Sequence, residues 1–209
     1  MIAILDYDAG NIRSVEKALA YLGKDAKITR NRDEILSSTH VILPGVGSFG
    51  DAMNKLRTYG LDKVIYEVVE KGIPFLGICL GLQLLYESSD ESPGIKGLGI
   101  LKGTINRIPD CPGLKIPHMG WNSLKVKPEA TLFQGITENP YVYFVHSYYL
   151  KADNEEEVAA TTEYSTLIHA SVEKDTVYAC QFHPEKSSAV GLQILRNFIE
   201  VKSPVKEDM

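Results

Sequence analysis

The sequence has little of several features that would assign it to a specialised class of protein. Its 209 residues include only three cysteines and one tryptophan, and no apolar run approaches the roughly 20 residues of a membrane-spanning helix. The N-terminus has no basic stretch ahead of its apolar residues, so no secretory signal is predicted. Cys79, Cys111 and Cys180 form neither a disulfide framework nor a metal-binding spacing. We expect a reduced, cytoplasmic protein without a bound metal and without membrane contact.

Charge and composition exclude a further class. The formal net charge is −5, the sequence pI is about 5.6, and no stripe of lysine or arginine is present, which argues against nucleic acid as a partner. A hydrophobic content of 44% is enough for a full core. The length is compatible with one α/β domain or with two small ones.

One pentapeptide, Gly77-Ile78-Cys79-Leu80-Gly81, stands between an apolar segment at residues 73–78 and a helix-like run at residues 82–86. Glycines on both sides of a tight strand-to-helix turn allow the two elements to approach closely and expose the residue at the tip, as in a nucleophile elbow. A helix N-terminus also favours the thiolate form of cysteine. Because a lone cysteine is more often a small buried apolar residue, the catalytic interpretation of Cys79 needs further support.

The first support is Gln181-Phe182-His183-Pro184-Glu185. Proline biases the preceding residue toward an extended conformation, which would place His183 and Glu185 on one side with Cα atoms about 6.5 Å apart. A cysteine nucleophile needs a base, and the base needs a third group to orient it. His183 and Glu185 fit these two roles.

The second support is a glycine-rich loop, Gly45-Val46-Gly47, that follows a short apolar segment. A phosphate-binding loop is excluded because the lysine and its Ser/Thr partner are missing. We predict an oxyanion hole in which the N–H of Val46 faces the N–H of Leu80. A plain glycine turn is the alternative for the loop taken alone.

The pattern of apolar residues predicts an α/β fold. Strand-like segments at residues 2–5, 26–29, 41–43 and 73–78 alternate with helix-like segments, so we expect a mostly parallel central sheet flanked by helices. In the C-terminal half, residues 99–108, 122–126, 141–150, 158–162 and 176–182 read as strands, some of them antiparallel, and residues 189–201 as a helix. No repeat or linker divides the chain, which predicts one domain at residues 1–202 and a solvated tail at residues 203–209.

Taken together, the three motifs resemble those of class I, triad-type glutamine amidotransferases, which have a flavodoxin-like fold. Further segments narrow the resemblance to the glutaminase subunits of imidazole glycerol phosphate synthase: Asp6-Tyr7-Asp8-Ala9-Gly10-Asn11, Gly45-Val46-Gly47-Ser48-Phe49-Gly50-Asp51-Ala52-Met53, Pro117-His118-Met119-Gly120-Trp121-Asn122, Tyr143-Phe144-Val145-His146-Ser147-Tyr148 and Gln181-Phe182-His183-Pro184-Glu185-Lys186-Ser187. One departure is Asp8, where that family usually has glycine. Aspartate tolerates a positive φ better than most residues, so the turn is expected to survive.

The resemblance implies roles for individual residues. It implies that Cys79, His183 and Glu185 are catalytic, and that glutamine is bound by Gly47, Gln83, Ser147 and Tyr148. The resemblance also implies four surface residues that face a partner: Asn11, His118, Trp121 and Lys186.

The resemblance also implies a partner and a pathway. Ammonia released here would pass through a tunnel to a separate cyclase subunit with a (β/α)8-barrel fold, in a heterodimer that makes imidazole glycerol phosphate and AICAR in histidine biosynthesis, with no cofactor. Two other enzymes remain open: the glutaminase component of another amidotransferase, such as anthranilate synthase, and an autonomous elbow-type cysteine hydrolase. A third alternative is a non-catalytic regulatory module, but such a module would be expected to have lost one of the three catalytic residues, and none is missing.

Overall fold

The first half of the chain alternates strands and helices, as a parallel sheet requires. In the structure, a computed structural model that describes residues 1–203, these elements are β1 (Ile2–Leu5), α1 (Ile12–Tyr21), β2 (Ala26–Thr29), α2 (Arg32–Leu36), β3 (His40–Leu43), α3 (Phe49–Thr58), α4 (Leu61–Glu70), β4 (Phe75–Ile78) and α5 (Leu80–Leu84). Local chemistry sets several of the boundaries. Asn31 caps α2 by accepting from the N–H groups of Asp33 and Glu34, and Gly60, in the left-handed region, separates α3 from α4.

The second half is dominated by strands. They are β5 (Ser88–Ser89), β6 (Gly103–Arg107), β7 (His118–Ser123), β8 (Lys125–Val126), β9 (Tyr141–His146), β10 (Tyr148–Ala152), β11 (Val158–Tyr164), β12 (Thr166–Lys174) and β13 (Val177–Cys180), followed by α6 (Ser188–Glu200). A short 3₁₀ helix, Pro184–Lys186, precedes α6.

An eight-stranded sheet in the order β2-β1-β3-β4-β13-β12-β11-β8 organises the molecule. The first five strands in this order, β2, β1, β3, β4 and β13, are parallel to one another. The last three, β12, β11 and β8, are antiparallel additions. The predicted α/β class, with a mostly parallel sheet and antiparallel strands in the C-terminal half, is therefore confirmed.

The core lies on both faces of this sheet. Successive residues of β1 alternate between two apolar clusters, so Ala3 and Leu5 face α2 to α5 while Ile2 and Ile4 face α1 and α6. Both faces are covered by helices, which explains why the parallel strands are continuous apolar runs rather than alternating ones.

Two adjacent parallel strands bring distant parts of the sequence together. β13 pairs with β4 so that Cys180 lies opposite Ile78, the last residue before Cys79. The segment that carries His183 therefore leaves the sheet beside the elbow, at the carboxyl edge where ligands bind in α/β folds.

Two sequence-based strand predictions were wrong in detail, and one strand was missed. The single strand expected at residues 141–150 is interrupted at Ser147, and its halves, β9 and β10, belong to different sheets. The strand expected at residues 122–126 is divided between β7, which begins at His118 and pairs with β9, and β8, which pairs with β11 in the large sheet. Strand β12 was not predicted, although it pairs with both β11 and β13.

Within residues 1–203, no helix has the length and apolarity to cross a membrane. The domain boundary at residue 202 stays a prediction, as does the tail, because residues 204–209 lie outside the described part of the chain.

Candidate active site

Cys79 occupies a strained turn between β4 and α5. Its φ is 54° and its ψ is −107°, a conformation that non-glycine residues rarely adopt. The turn also depends on Gly81, where a Cβ atom would lie 1.9 Å from the carbonyl oxygen of Leu43. The predicted elbow is thus present, and Cys79 lines a cavity although its exposed fraction is only 6%.

The side chains of His183 and Glu185 are fully buried and form a hydrogen bond of 2.8 Å between Nδ1 and Oε1. His183 is extended, as predicted, with a φ of −103° and a ψ of 95°. The segment does not continue as an extended strand, however, because Glu185 lies in the 3₁₀ helix Pro184–Lys186. The side-chain amide of Asn11 donates a second hydrogen bond, of 2.6 Å, to the same Oε1 atom. Because Nδ1 of His183 is hydrogen-bonded to Glu185, Nε2 is the ring nitrogen that remains available to interact with Cys79.

The electrostatic setting of His183 favours its charged form. Burial by itself lowers the pKa of His183, but hydrogen bonding to Cys79 and Glu185, together with the charges of both, raises the pKa to about 9. His183 therefore holds a proton at pH 7. This is the form that stabilises a thiolate and can deliver a proton to a leaving amine.

A cavity of about 310 Å³ opens in front of Cys79. Each of the four residues expected to bind glutamine lines it: Gly47, Gln83, Ser147 and Tyr148. Both side-chain N–H groups of Gln83 are already used, by the Tyr148 carbonyl and by Gln181 Oε1, each at 3.1 Å. Its Oε1 atom is the part that remains for a ligand.

The predicted oxyanion hole is not formed. The N–H of Leu80 donates to the carbonyl oxygen of Gly45 at 3.3 Å. Since that carbonyl and the N–H of Val46 belong to one trans peptide, the Val46 N–H points away from Leu80. The prediction that the two N–H groups face each other is therefore wrong for this conformation, and rotation of a single peptide would bring them together.

The residues expected to face a partner differ in their surroundings. Trp121 is 51% exposed, and Lys186 is also exposed. His118 is buried, stacked on Phe144 and Tyr164, so its interpretation as a surface residue was wrong. Side chains alternate along β7, which turns His118 inward and leaves Met119 and Trp121 outward.

The unusual Asp8 adopts the positive φ that the turn requires, 61°. Its carboxylate accepts from Tyr59 and, at 2.7 Å, from Arg30. These two contacts, the Tyr59 bond foremost, lower the pKa of Asp8. The expectation that aspartate tolerates this turn is confirmed.

Three residues of the site were missed in the sequence. Glu91 lines the cavity and accepts from the backbone N–H of Phe49 at 2.7 Å. Asn11 was expected only as a partner contact, yet its side-chain amide donates to Glu185. Gln181 lies 3.7 Å from the Cys79 sulfur. Only Gln181 had a local signal, because it stands two residues before His183.

Within residues 1–203, no cluster of three or more His, Cys, Asp or Glu side chains is arranged to hold a metal ion.

Solved structures share this fold. A crystal structure described as a glutamine amidotransferase matches with a TM-score of 0.74 and 24% identity, covering 95% of this chain and 97% of the other. The structure of PurLQS from Thermotoga maritima matches with a TM-score of 0.69 and 20% identity, over 95% and 96% of the two chains. At these identities the likeness concerns the fold alone.

Sequence relatives are much closer. The imidazole glycerol phosphate synthase subunit HisH of Caldanaerobacter subterraneus is 52% identical, over 96% of this chain and 98% of its own. The subunit of the same name from Methanocaldococcus jannaschii is 49% identical, over 96% and 100%. The family model for class-I glutamine amidotransferases matches residues 3–201. With the Cys79 elbow, the His183–Glu185 pair and the cavity also present, the chain belongs to the class-I glutamine amidotransferases, and within them to the HisH subunits of imidazole glycerol phosphate synthase.

Proposed function

We propose that this chain hydrolyses L-glutamine to glutamate and ammonia through a thioester on Cys79, and passes the ammonia to a separate cyclase subunit. The cyclase would make imidazole glycerol phosphate and AICAR for histidine biosynthesis in the cytoplasm. The observation that carries the proposal is the position of Cys79, on a strained elbow at the cavity wall beside the hydrogen-bonded pair of His183 and Glu185.

In the first half of the reaction, the Cys79 thiolate attacks the side-chain carbonyl carbon of glutamine. His183 gives its proton to the leaving nitrogen, so ammonia departs and a γ-glutamyl thioester remains. His183, now neutral, takes a proton from water, and the hydroxide displaces the thiolate to release glutamate. Glu185 holds the imidazole in the tautomer with Nε2 toward the sulfur, and Asn11 holds Glu185.

The cavity is suited to a free amino acid. Glu91 supplies a carboxylate at its wall and has the charge to pair with the α-ammonium group of glutamine. Gln83 Oε1 is a second acceptor for that group. Backbone groups near Gly47 and at Ser147, where the chain leaves β9 for β10, are available for the substrate carboxylate and carbonyl.

The blocked Leu80 N–H makes the described conformation a resting one. A tetrahedral oxyanion needs donors aimed at it, and the loss of one donor costs on the order of 3 kcal/mol of transition-state stabilisation, a hundredfold or more in rate. Rotation of the Gly45–Val46 peptide would free the Leu80 N–H and add that of Val46. We infer that binding of the cyclase and of its ligand favours the rotated form.

The surface next to the cavity suits a protein partner. Met119, Trp121 and Tyr141 are 62%, 51% and 59% exposed on the β7–β9 ribbon. Pro117, directly before β7, and Val145, in β9, line the cavity. Exposed aromatic residues grouped in this way are typical of interface centres. We assign this face, with Lys186 beside the triad, to a (β/α)8-barrel cyclase in a heterodimer whose tunnel receives the ammonia.

The test is steady-state release of glutamate from L-glutamine in three arms: the chain alone, the chain with the cyclase, and both with the cyclase's nucleotide ligand. We expect turnover to rise by about a hundredfold or more from the first arm to the third, with Cys79→Ala inactive in every arm. A chain that reaches the stimulated rate by itself would favour an autonomous cysteine hydrolase. Lack of turnover in all arms would contradict the proposal.

A further inference from the structure

Two buried glutamine side chains lie behind the Cys79 sulfur. Gln181, which follows β13, has no exposed surface, and its Nε2 atom is 3.7 Å from Cys79 Sγ. Its Oε1 atom accepts a hydrogen bond of 3.1 Å from Gln83 Nε2. Gln83 Nε2 also donates, at 3.1 Å, to the backbone carbonyl of Tyr148. A continuous row of polar groups thus runs from β10 to the sulfur.

The orientation of both amides follows from this row. Oxygen and nitrogen of a side-chain amide are distinguished by their partners, and the Tyr148 carbonyl can only accept. The Gln83 atom that faces it is therefore nitrogen. That nitrogen also faces Gln181, so the Gln181 atom at this contact is oxygen. The other end of the Gln181 amide, at the sulfur, must then be an N–H donor.

The Tyr148 carbonyl is itself held in place. His146 Nδ1 donates to it at 2.8 Å, and His146 Nε2 lies 3.0 Å from Nδ1 of His118. Burial lowers the pKa of His146 to about 3 and that of His118 to about 4, so both rings are neutral at pH 7. Each neutral ring then has one donor nitrogen, and the chain of donors runs in a single direction from His118 to Tyr148.

A donor at the sulfur has a chemical consequence. A thiol needs an acceptor, for which the Val145 carbonyl lies within reach at 3.9 Å, whereas a thiolate needs donors. A hydrogen bond to a charged acceptor is stronger than one to a neutral acceptor, so an N–H at Sγ favours the thiolate. The same N–H would stabilise the thiolate when it leaves the thioester.

We propose that Gln181 is a further catalytic residue, which donates a hydrogen bond to the Cys79 thiolate, and that Gln83 is the positioning residue that fixes its amide. This rests on the proposed role of Cys79 as nucleophile. It gives Gln83 a second task besides substrate contact, since it links the wall of the cavity to the sulfur.

Two variants separate the hydrogen bond from packing. Gln181→Met keeps the length of the side chain but removes the donor, and Gln181→Glu keeps the acceptor for Gln83 while it replaces the donor with oxygen. Both are made in the full chain with Cys111→Ser, because Cys111 is partly exposed and Cys180 is fully buried. Gln193→Met, on α6, is the matched control.

The pH profile of Cys79 alkylation by iodoacetamide is measured, with the site confirmed by peptide mapping. The account predicts that its midpoint moves upward by about one pH unit or more in Gln181→Met and further in Gln181→Glu. In the cyclase complex, kcat should fall about tenfold or more while KM changes little. Gln193→Met should behave like the parent.

Circular dichroism shows which of the two variants folds. If the alkylation midpoint of a folded variant is unchanged, the proposal is overturned, even if its kcat falls. A parent complex that releases no glutamate would contradict the proposed function instead. The alkylation profile would still decide whether Gln181 acts on the sulfur.

Discussion

The hydrogen-bonded group beside Cys79 includes a residue beyond the three proposed catalytic residues, Asn11. Asn11 and His183 both donate to Glu185 Oε1, so the carboxylate stays in place even when its bond to the imidazole weakens. The roles of His183 and Glu185 should therefore separate in kinetics. In the proposed mechanism, His183 transfers protons, while Glu185 only orients the imidazole.

We expect His183→Ala in the cyclase complex to lower kcat by about 10⁴-fold or more, because no other described residue at the sulfur can carry the proton. Glu185→Gln should retain at least about tenfold more activity than His183→Ala, since the base is still present. Glutaminase turnover of the two variants, with circular dichroism as a folding control, checks this. Equal and mild losses would mean that the base is misassigned.

A second residue-level prediction concerns Glu91. Removal of its charge by Glu91→Gln should raise KM for glutamine by about tenfold or more with a smaller effect on kcat, because the lost contact is made in the ground state and the transition state alike. The variant keeps an acceptor for the Phe49 N–H. Glu87→Gln, whose side chain pairs with Lys102 on the surface, is the control. An unchanged KM would remove Glu91 from the substrate site.

Residues that belong to short motifs were predictable, and those that join the site through folding were not. Cys79 and His183 stand in patterns whose spacing has a chemical reason. Glu91 and Asn11 stand in polar segments that look like an ordinary loop and an ordinary helix cap. Only tertiary contacts, of Glu91 with Phe49 and of Asn11 with Glu185, join them to the site. His118 was misplaced because its flanking proline and glycine suggested a surface loop.

At the scale of structural elements, the loop that contains Gly45 and Val46 is fixed by a hydrogen bond from Tyr7. The Tyr7 hydroxyl is buried and donates to the Pro44 carbonyl at 2.8 Å, next to the peptide that must rotate. Burial, with the nearby Cys79, raises the pKa of Tyr7, so the hydroxyl keeps its proton. A Cβ atom at Gly45 would lie 2.1 Å from the Tyr7 oxygen and 3.2 Å from Leu80 Cβ.

This crowding predicts the stability of loop variants. Gly45→Ala should lower the free energy of unfolding by about 1 to 3 kcal/mol through overpacking, and Tyr7→Phe by about 1 kcal/mol through the lost hydrogen bond. Because phenylalanine lacks the oxygen that clashes, the double variant should be less destabilised than the sum of the two. Urea unfolding of the four proteins measures this coupling. Strict additivity would contradict the described packing.

At the level of elements, periodicity predicted the parallel half better than the antiparallel half. Parallel strands such as β1 and β4 are uniformly apolar and end at clear turns. The break at Ser147 has no proline or glycine to mark it, and it arises because β9 pairs with β7 whereas β10 pairs with β6. Such pairing decisions depend on partners far away in sequence.

For the molecule as a whole, buried histidines set the response of stability to pH. The folded-state pKa values of His118 and His146, about 4 and 3, lie below their ordinary value of 6.5. The unfolded chain therefore binds more protons as pH falls below 6.5, and stability decreases. His183 acts in the opposite direction: with a folded-state pKa of about 9, its contribution is full below pH 6.5 and is lost as pH rises through 9.

The free energy of unfolding of the parent should fall when the pH is lowered from 6.5 to 5. We predict that this fall is roughly 2 kcal/mol smaller in His146→Gln, because the imidazole that titrates only in the unfolded chain is absent. Urea unfolding at a series of pH values gives the two curves, and their slopes are compared rather than their absolute values. Parallel curves would show that His146 is not buried in neutral form.

Overall topology was predictable because alternation of strands and helices leaves few arrangements of a parallel sheet. The state of the oxyanion loop was not, since a peptide rotation of Gly45 changes neither composition nor periodicity. In the proposed function, that state decides whether the chain is active alone or only with its partner.

The proposed function depends most on Cys79 as the nucleophile toward glutamine. The chain, in complex with the cyclase, is treated with a chloroketone analogue of glutamine, and the modified residue is located by peptide mass mapping. We predict stoichiometric label on Cys79, protection by L-glutamine, and no label in Cys79→Ala. Label on Cys111 or Cys180, or glutamine turnover retained by Cys79→Ala, would contradict the account.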